Sequence, residues 1–157
     1  MAKFKMQPTV DTECITARLG AGSGSANYVT DLELKKPVKL VGDSQYNLTA
    51  AGDQIEGFIR AVETWTADDF SIGSVQYEGR VKVTLDGLQA TPGTGVIAVG
   101  DYVVAGTAVA KGTSLGSAYP KVCKATTQTG MYFAWRVVSL DGTTAVGQTA
   151  TIERVNA

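Results

Sequence analysis

Arg80-Val81-Lys82-Val83-Thr84-Leu85 carries an apolar side chain at every second position, with Arg80, Lys82 and Thr84 between them. Successive side chains of a strand point to opposite faces, so this alternation predicts a strand with one face in the core and one in water. Asp86-Gly87 follows at once and is read as the turn that ends it. Gly42-Asp43, Gly52-Asp53, Gly100-Asp101 and Asp141-Gly142 repeat the signal beside other runs of Val, Ile, Thr and aromatic residues. Gly tolerates positive φ and Asp hydrogen-bonds its own backbone, so each pair supplies what a chain reversal needs. The class this predicts is all-β, built from short strands and tight turns.

Outward from that stretch, Cys14-Ile15-Thr16-Ala17-Arg18 reads as a strand and Gly20 to Ser25 as a flexible loop, able to join two strands of a hairpin. Tyr28-Val29-Thr30 would begin the return strand, with Leu32 and Leu34 on one face, before Lys35-Lys36-Pro37 breaks the run. Val96 to Val99 and Tyr102 to Ala105 flank Gly100-Asp101 as two strands around a reversal or bulge. Phe133 to Val138 and Thr149 to Val155 supply the last two. Residues 53–63 point both ways. Ile55, Phe58, Ile59 and Val62 have helical spacing and Asp53 with Glu56 resembles a capping box, whereas Gly57 in the middle costs a helix about 1 kcal/mol. A strand would instead place Ile55, Gly57, Ile59 and Ala61 on one face.

The chain has 157 residues, close to the length of one domain and enough for a core without staples. Eighteen glycines and only 18% charged residues again favour a turn-rich β protein. A net charge of −1 gives no broad attraction to nucleic acid or to an anionic membrane, and neither is expected as a partner. Lys35, Lys36 and Lys39 form a local basic patch, read as a solvated loop. The first residues lack the apolar core of a secretory signal, and no stretch approaches the ~18 apolar residues of a membrane span, so synthesis and folding in a cytoplasm are expected. Cys14 and Cys123 both sit in alternating runs and read as reduced core thiols, with a disulfide between them left open.

The absence of histidine removes the Ser-His-Asp triad, the Cys-His pair and every histidine-containing zinc site. Gly20-x-Gly22-x-Gly24 lacks the spacing of a dinucleotide fingerprint, and Lys111-Gly112-Thr113 stands in the wrong order for a phosphate loop. Asp68 and Asp69 point to opposite faces of a strand, which does not suit a carboxylate pair; a turn capped by Asp is the reading. No enzyme, cofactor or metal is therefore expected. Trp135 lies in an apolar strand and reads as core. Trp65 and Phe70, flanking a polar turn, are candidate interface residues, with burial the equal alternative for Trp65, and Tyr77 is a candidate partner for stacking on a sugar ring. Phe4, Met6 and Val10 are the sizeable apolar residues of a polar N-terminal segment, too few to order it without another surface; the alternative is a first strand docked in the protomer's own sheet.

The series Val41-Gly42-Asp43, Ala51-Gly52-Asp53-Gln54-Ile55-Glu56-Gly57-Phe58-Ile59, Gly73-Ser74-Val75-Gln76, Gly79-Arg80, Val99-Gly100-Asp101-Tyr102-Val103-Val104-Ala105-Gly106 and Trp135 to Leu140 resembles the capsid decoration (cement) proteins of tailed bacteriophages. The resemblance spans residues 38–157. It implies a compact β-barrel or tulip-like β domain there and a strand at 53–63; residues 1–37 lie outside it and are read from the residues alone as an N-terminal arm with a possible hairpin. It also implies a homotrimer on the outer surface of a virion that binds the major capsid protein and clamps neighbouring subunits. The alternatives from other classes are a glycan- or receptor-binding β module displayed on the virion and a small carboxylate hydrolase.

Overall fold

The structure, a computed structural model, describes residues 14–22, 24–65, 70–127, 131 and 133–156. It is all-β, as the alternation predicts. Strands β1 (Cys14–Leu19), β2 (Pro37–Gly42), β3 (Gln45–Leu48), β4 (Gly57–Trp65) and β5 (Phe70–Gln76) close into a barrel in the order β1-β3-β2-β4-β5. A second sheet follows from β6 (Arg80–Leu88), β7 (Thr91–Pro92), β8 (Tyr102–Ala105), β9 (Lys121–Lys124), β10 (Phe133–Leu140) and β11 (Thr149–Asn156). Its order is β11-β10-β8-β9-β6-β7, and β11 also pairs with β6, so five of its strands form a ring with β7 hung from β6.

The two rings are the same object. In each, the first strand runs parallel to the third and every other pair is antiparallel. The registers coincide as well. Arg18 opposite Gln45 corresponds to Thr84 opposite Lys121, and Val38, between Leu48 and Gly57, corresponds to Val103, between Lys124 and Trp135. The fourth strand of each ring carries a bulge against the fifth, at Arg60 between Ile59 and Ala61 and at Val138 between Val137 and Ser139. Hydrogen bonds that leave the ladders repeat too: Arg18 N–H to Ser44 O at 3.0 Å matches Thr84 N–H to Pro120 O at 2.9 Å. The chain is a tandem repeat of one five-stranded barrel, 14–76 and 80–156, too diverged in sequence to be read from residue identities.

Each barrel has a core. Ala17, Leu19, Val29, Val38, Tyr46, Ile59 and Val75 fill the first. Val81, Val83, Leu85, Val103, Val122, Trp135, Val137 and Ile152 dominate the second, which also takes in Ile55 and Phe58 from the first barrel's β4 region. Trp135 seals this seam. Its ring meets Phe58 edge-on at 5.2 Å between centroids, and its indole N–H donates to Ile55 O at 3.1 Å.

Several expectations change. The strand at 53–63 is present from Gly57 onward as β4, not the helix its spacing mimics, but the bulge at Arg60 turns Ala61 outward, so it is not one-faced. A Cβ on Gly57 would lie 2.5 Å from Gln76 O, so the glycine permits close strand approach. Asp86-Gly87 does not turn the chain. It lies inside β6, where Asp86 is buried and Gly87 takes φ +83° with Thr94 O against its open side; the reversal comes after Leu88. No hairpin follows β1, which pairs with β5 and β3. Thr30 and Glu33 instead form a capping box around a single 3-10 turn, Asp31–Glu33, leaving Leu32 and Leu34 exposed. Val96 to Val99 is not a strand, because the Asp101 carboxylate accepts from Ala98 N–H at 2.8 Å and closes a turn there. Residue 38 is no boundary, since β1 belongs to the first barrel. Cys123 is a buried thiol as expected, but Cys14 is exposed, and both are free.

Candidate functional site

The repeats differ most between their second and third strands. In the first barrel, β2 turns into β3 through Asp43-Ser44, with Ser44 at φ +51°. In the second, residues 106–120 intervene between β8 and β9 and reach across to the first barrel. The base of this strap is closed by Gly106 N–H to Lys121 O at 2.9 Å and by Thr107 N–H to the buried Asp86 carboxylate at 2.7 Å. Its crest is held by charge. Glu33 accepts from Gly112 N–H at 2.6 Å, and the Lys36 ammonium donates to Ala110 O at 3.0 Å while lying 3.6 Å from Glu33.

Glu33 and Lys36 are 0% and 3% exposed, so their charges survive only through these partners. Burial pushes the Glu33 carboxyl up, but hydrogen bonds from Gly112 and Thr30, with the Lys36 charge, outweigh it and leave it below the usual carboxylate value. Burial likewise pulls the Lys36 ammonium down, against the opposing effect of Glu33. The basic patch is therefore not one solvated loop. Lys36 is buried beneath the strap, Lys39 pairs with Asp53 at 2.6 Å, and Lys35 donates to Gly116 O at 2.7 Å. Sequence reading missed the strap because its anchors lie 74 and 79 positions apart; the one local signal was Glu33 three residues after Thr30.

The interface candidates separate. Phe4, Met6 and Val10 lie outside the described residues, as do Asp68 and Asp69. Trp65 ends β4 opposite Phe70, which begins β5. Phe70 is half-buried with the Arg18 guanidinium 4.6 Å from its ring, and Ile72, opposite Arg18, is exposed on the same outer face. Tyr77 is not free for stacking, since the Arg154 guanidinium lies 5.8 Å over its ring and donates to its carbonyl at 2.9 Å. Trp135 is core. The structure adds exposed apolar residues that sequence reading did not single out. Leu40 and Val41 stand at the end of β2, 50% and 46% exposed. Val96 and Val99 are 57% and 58% exposed, beside the loop of Val146, to which Ile97 N–H is tied through Thr144 O.

Among the described residues no three of His, Cys, Asp or Glu gather as a metal site, and no helix is long and apolar enough to cross a membrane. In comparisons with known proteins, no family model, curated protein or solved structure matches the chain.

Proposed function

We propose that this protein is a structural component of a virion, attached to the outside of a phage head and joining neighbouring capsid subunits. The observation that carries the reading is the distribution of exposed apolar side chains: Leu40 and Val41 on β2, Ile72 on β5, and Val96, Val99 and Val146 on loops of the second barrel stand on several elements of a double barrel. One enzyme pocket would gather its apolar lining in one concavity, whereas a clamp must touch several neighbours. The resemblance to capsid decoration proteins supports the same reading, and a homotrimer would multiply each weak contact through effective concentration.

The test is cosedimentation of the purified protein with undecorated heads, comparing wild type with Val96→Ser/Val99→Ser and Leu40→Ser/Val41→Ser. The reading requires saturable binding and at least one pair of substitutions that abolishes it while the melting temperature holds. Binding to a glycan array with no binding to heads would replace it by the displayed glycan-recognition module.

A further inference from the structure

A cleft of about 160 Å³ opens at the root of the strap, lined by Lys35, Arg60, Val81, Lys82, Tyr119 and Pro120. That is roughly ten times the ~10–15 Å³ one water requires. Three of its six lining residues are cationic and none is acidic. They come from the turn before β2, from β4 and from β6, so their convergence is a product of the fold.

Two unusual pieces of backbone aim them there. Lys35 holds φ +70°, a left-handed conformation that a non-glycine residue adopts at a cost, and its N–H donates to Ile59 O at 2.8 Å, setting it beside Arg60. Arg60 is the bulged residue of β4, and bulges re-aim side chains. The second barrel provides an internal comparison, because the same bulge there carries Val138. The bulge itself therefore does not call for an arginine.

These cations are only partly satisfied. The Arg60 Nε donates to Gln76 Oε1 at 2.5 Å, and no ion pair involves Arg60 among the described residues. Arg60 is exposed, and partial loss of water around its guanidinium lowers the pKa against a smaller opposing influence of the Cys14 sulfur. Lys35 spends one of its three donors on Gly116 O. Lys82 is held by Asp141 at 2.7 Å, with the Tyr119 ring 5.5 Å from its ammonium. Among the described residues, Asp141 is the carboxylate paired with Lys82, and an incoming anion must face it there.

We propose that this cleft binds a tetrahedral oxyanion, phosphate or sulfate, free or carried on a small molecule, with Arg60, Lys35 and Lys82 as its donors and Tyr119 as its wall. Donors arriving from three elements suit a tetrahedral group better than a planar carboxylate, which a single guanidinium fork would match. The site is independent of the capsid reading.

The test is a titration of the 15N-labelled full chain with sodium sulfate, sodium phosphate and glucose 6-phosphate, each against sodium chloride at equal ionic strength. Saturable amide shifts confined to Lys35, Arg60, Lys82 and Tyr119 are expected. Equal affinity for the salts and the sugar phosphate assigns the site to the free ion; tighter binding of the sugar phosphate assigns it to a carried one. Arg60→Gln should weaken binding about tenfold or more, and Lys124→Gln, whose ion pair with Asp101 is elsewhere, should leave it unchanged. Should Arg60→Gln not fold, Lys82→Gln, which removes an exposed ion pair and a contact with Tyr119, gives the same reading. Shifts that chloride reproduces, or unchanged affinity in these variants, would overturn the proposal.

Discussion

Neutralising Glu33 would leave the Lys36 ammonium buried without its counter-charge. Breaking a buried pair from one side costs about 3–5 kcal/mol, so Glu33→Gln should lower the denaturation midpoint by a large part of the total stability. The same carboxylate gives stability a pH dependence of known sign. Its folded pKa lies below the unfolded one, so its contribution is fully present above the unfolded value of ~4.3 and disappears as pH falls through the folded one. Urea titrations from pH 7 downward should show this loss in wild type and a shallower one in Glu33→Gln. Trp135 allows a finer dissection. Trp135→Ala should cost about 3–5 kcal/mol through the cavity. Trp135→Phe keeps a ring against Phe58 and mainly orphans Ile55 O, at about 1–3 kcal/mol by calorimetry. The thiols separate by environment: burial, then the neighbouring Asp86, pushes Cys123 up to about 11, whereas Cys14 is exposed. A thiol reagent at pH 8 should modify Cys14 alone until denaturant is added; two fast thiols in the native protein would contradict the burial of Cys123.

The strap ties the two barrels together beside the seam that Trp135 seals. Lys111 sits exposed at its crest, between the anchored Ala110 O and Gly112 N–H. Limited trypsin digestion should spare that bond in wild type and cut it at least several-fold faster in Glu33→Gln or Lys36→Met, because release of the crest exposes the backbone. Equal rates would mean that the barrels hold the strap without the ion pair. The strands themselves were legible where one face is wet, as in β6, since alternation survives there. They were not legible where a strand meets two cores. Ile55 and Phe58 face the second core while Ile59 faces the first, and this division mimics helical spacing. Val96 to Val99 misled for the opposite reason: only Ile97 plugs a core, while its valine neighbours are exposed.

At the scale of the molecule, the β class and the core role of Trp135 were readable, whereas the duplication was not, because it resides in pairing register rather than in residue identity. The strap and the cationic cleft were equally hidden, being built from residues far apart in the chain. Exposed valines and leucines on a body of net charge −1 leave little repulsion between copies. Light scattering after gel filtration should accordingly give a trimer mass, and a monomer at every micromolar concentration would count against the clamp. The repeat has a further bearing on how the chain reaches this state. Every rung of the first barrel joins residues within 14–76 and every rung of the second joins residues within 80–156, so neither closure waits for the other half. On a ribosome the first barrel can close while the second is still being made, with Ile55 and Phe58 uncovered until Trp135 arrives. The order of synthesis thereby sets the order of assembly, and the quenching or shift of Trp135 emission marks its final step.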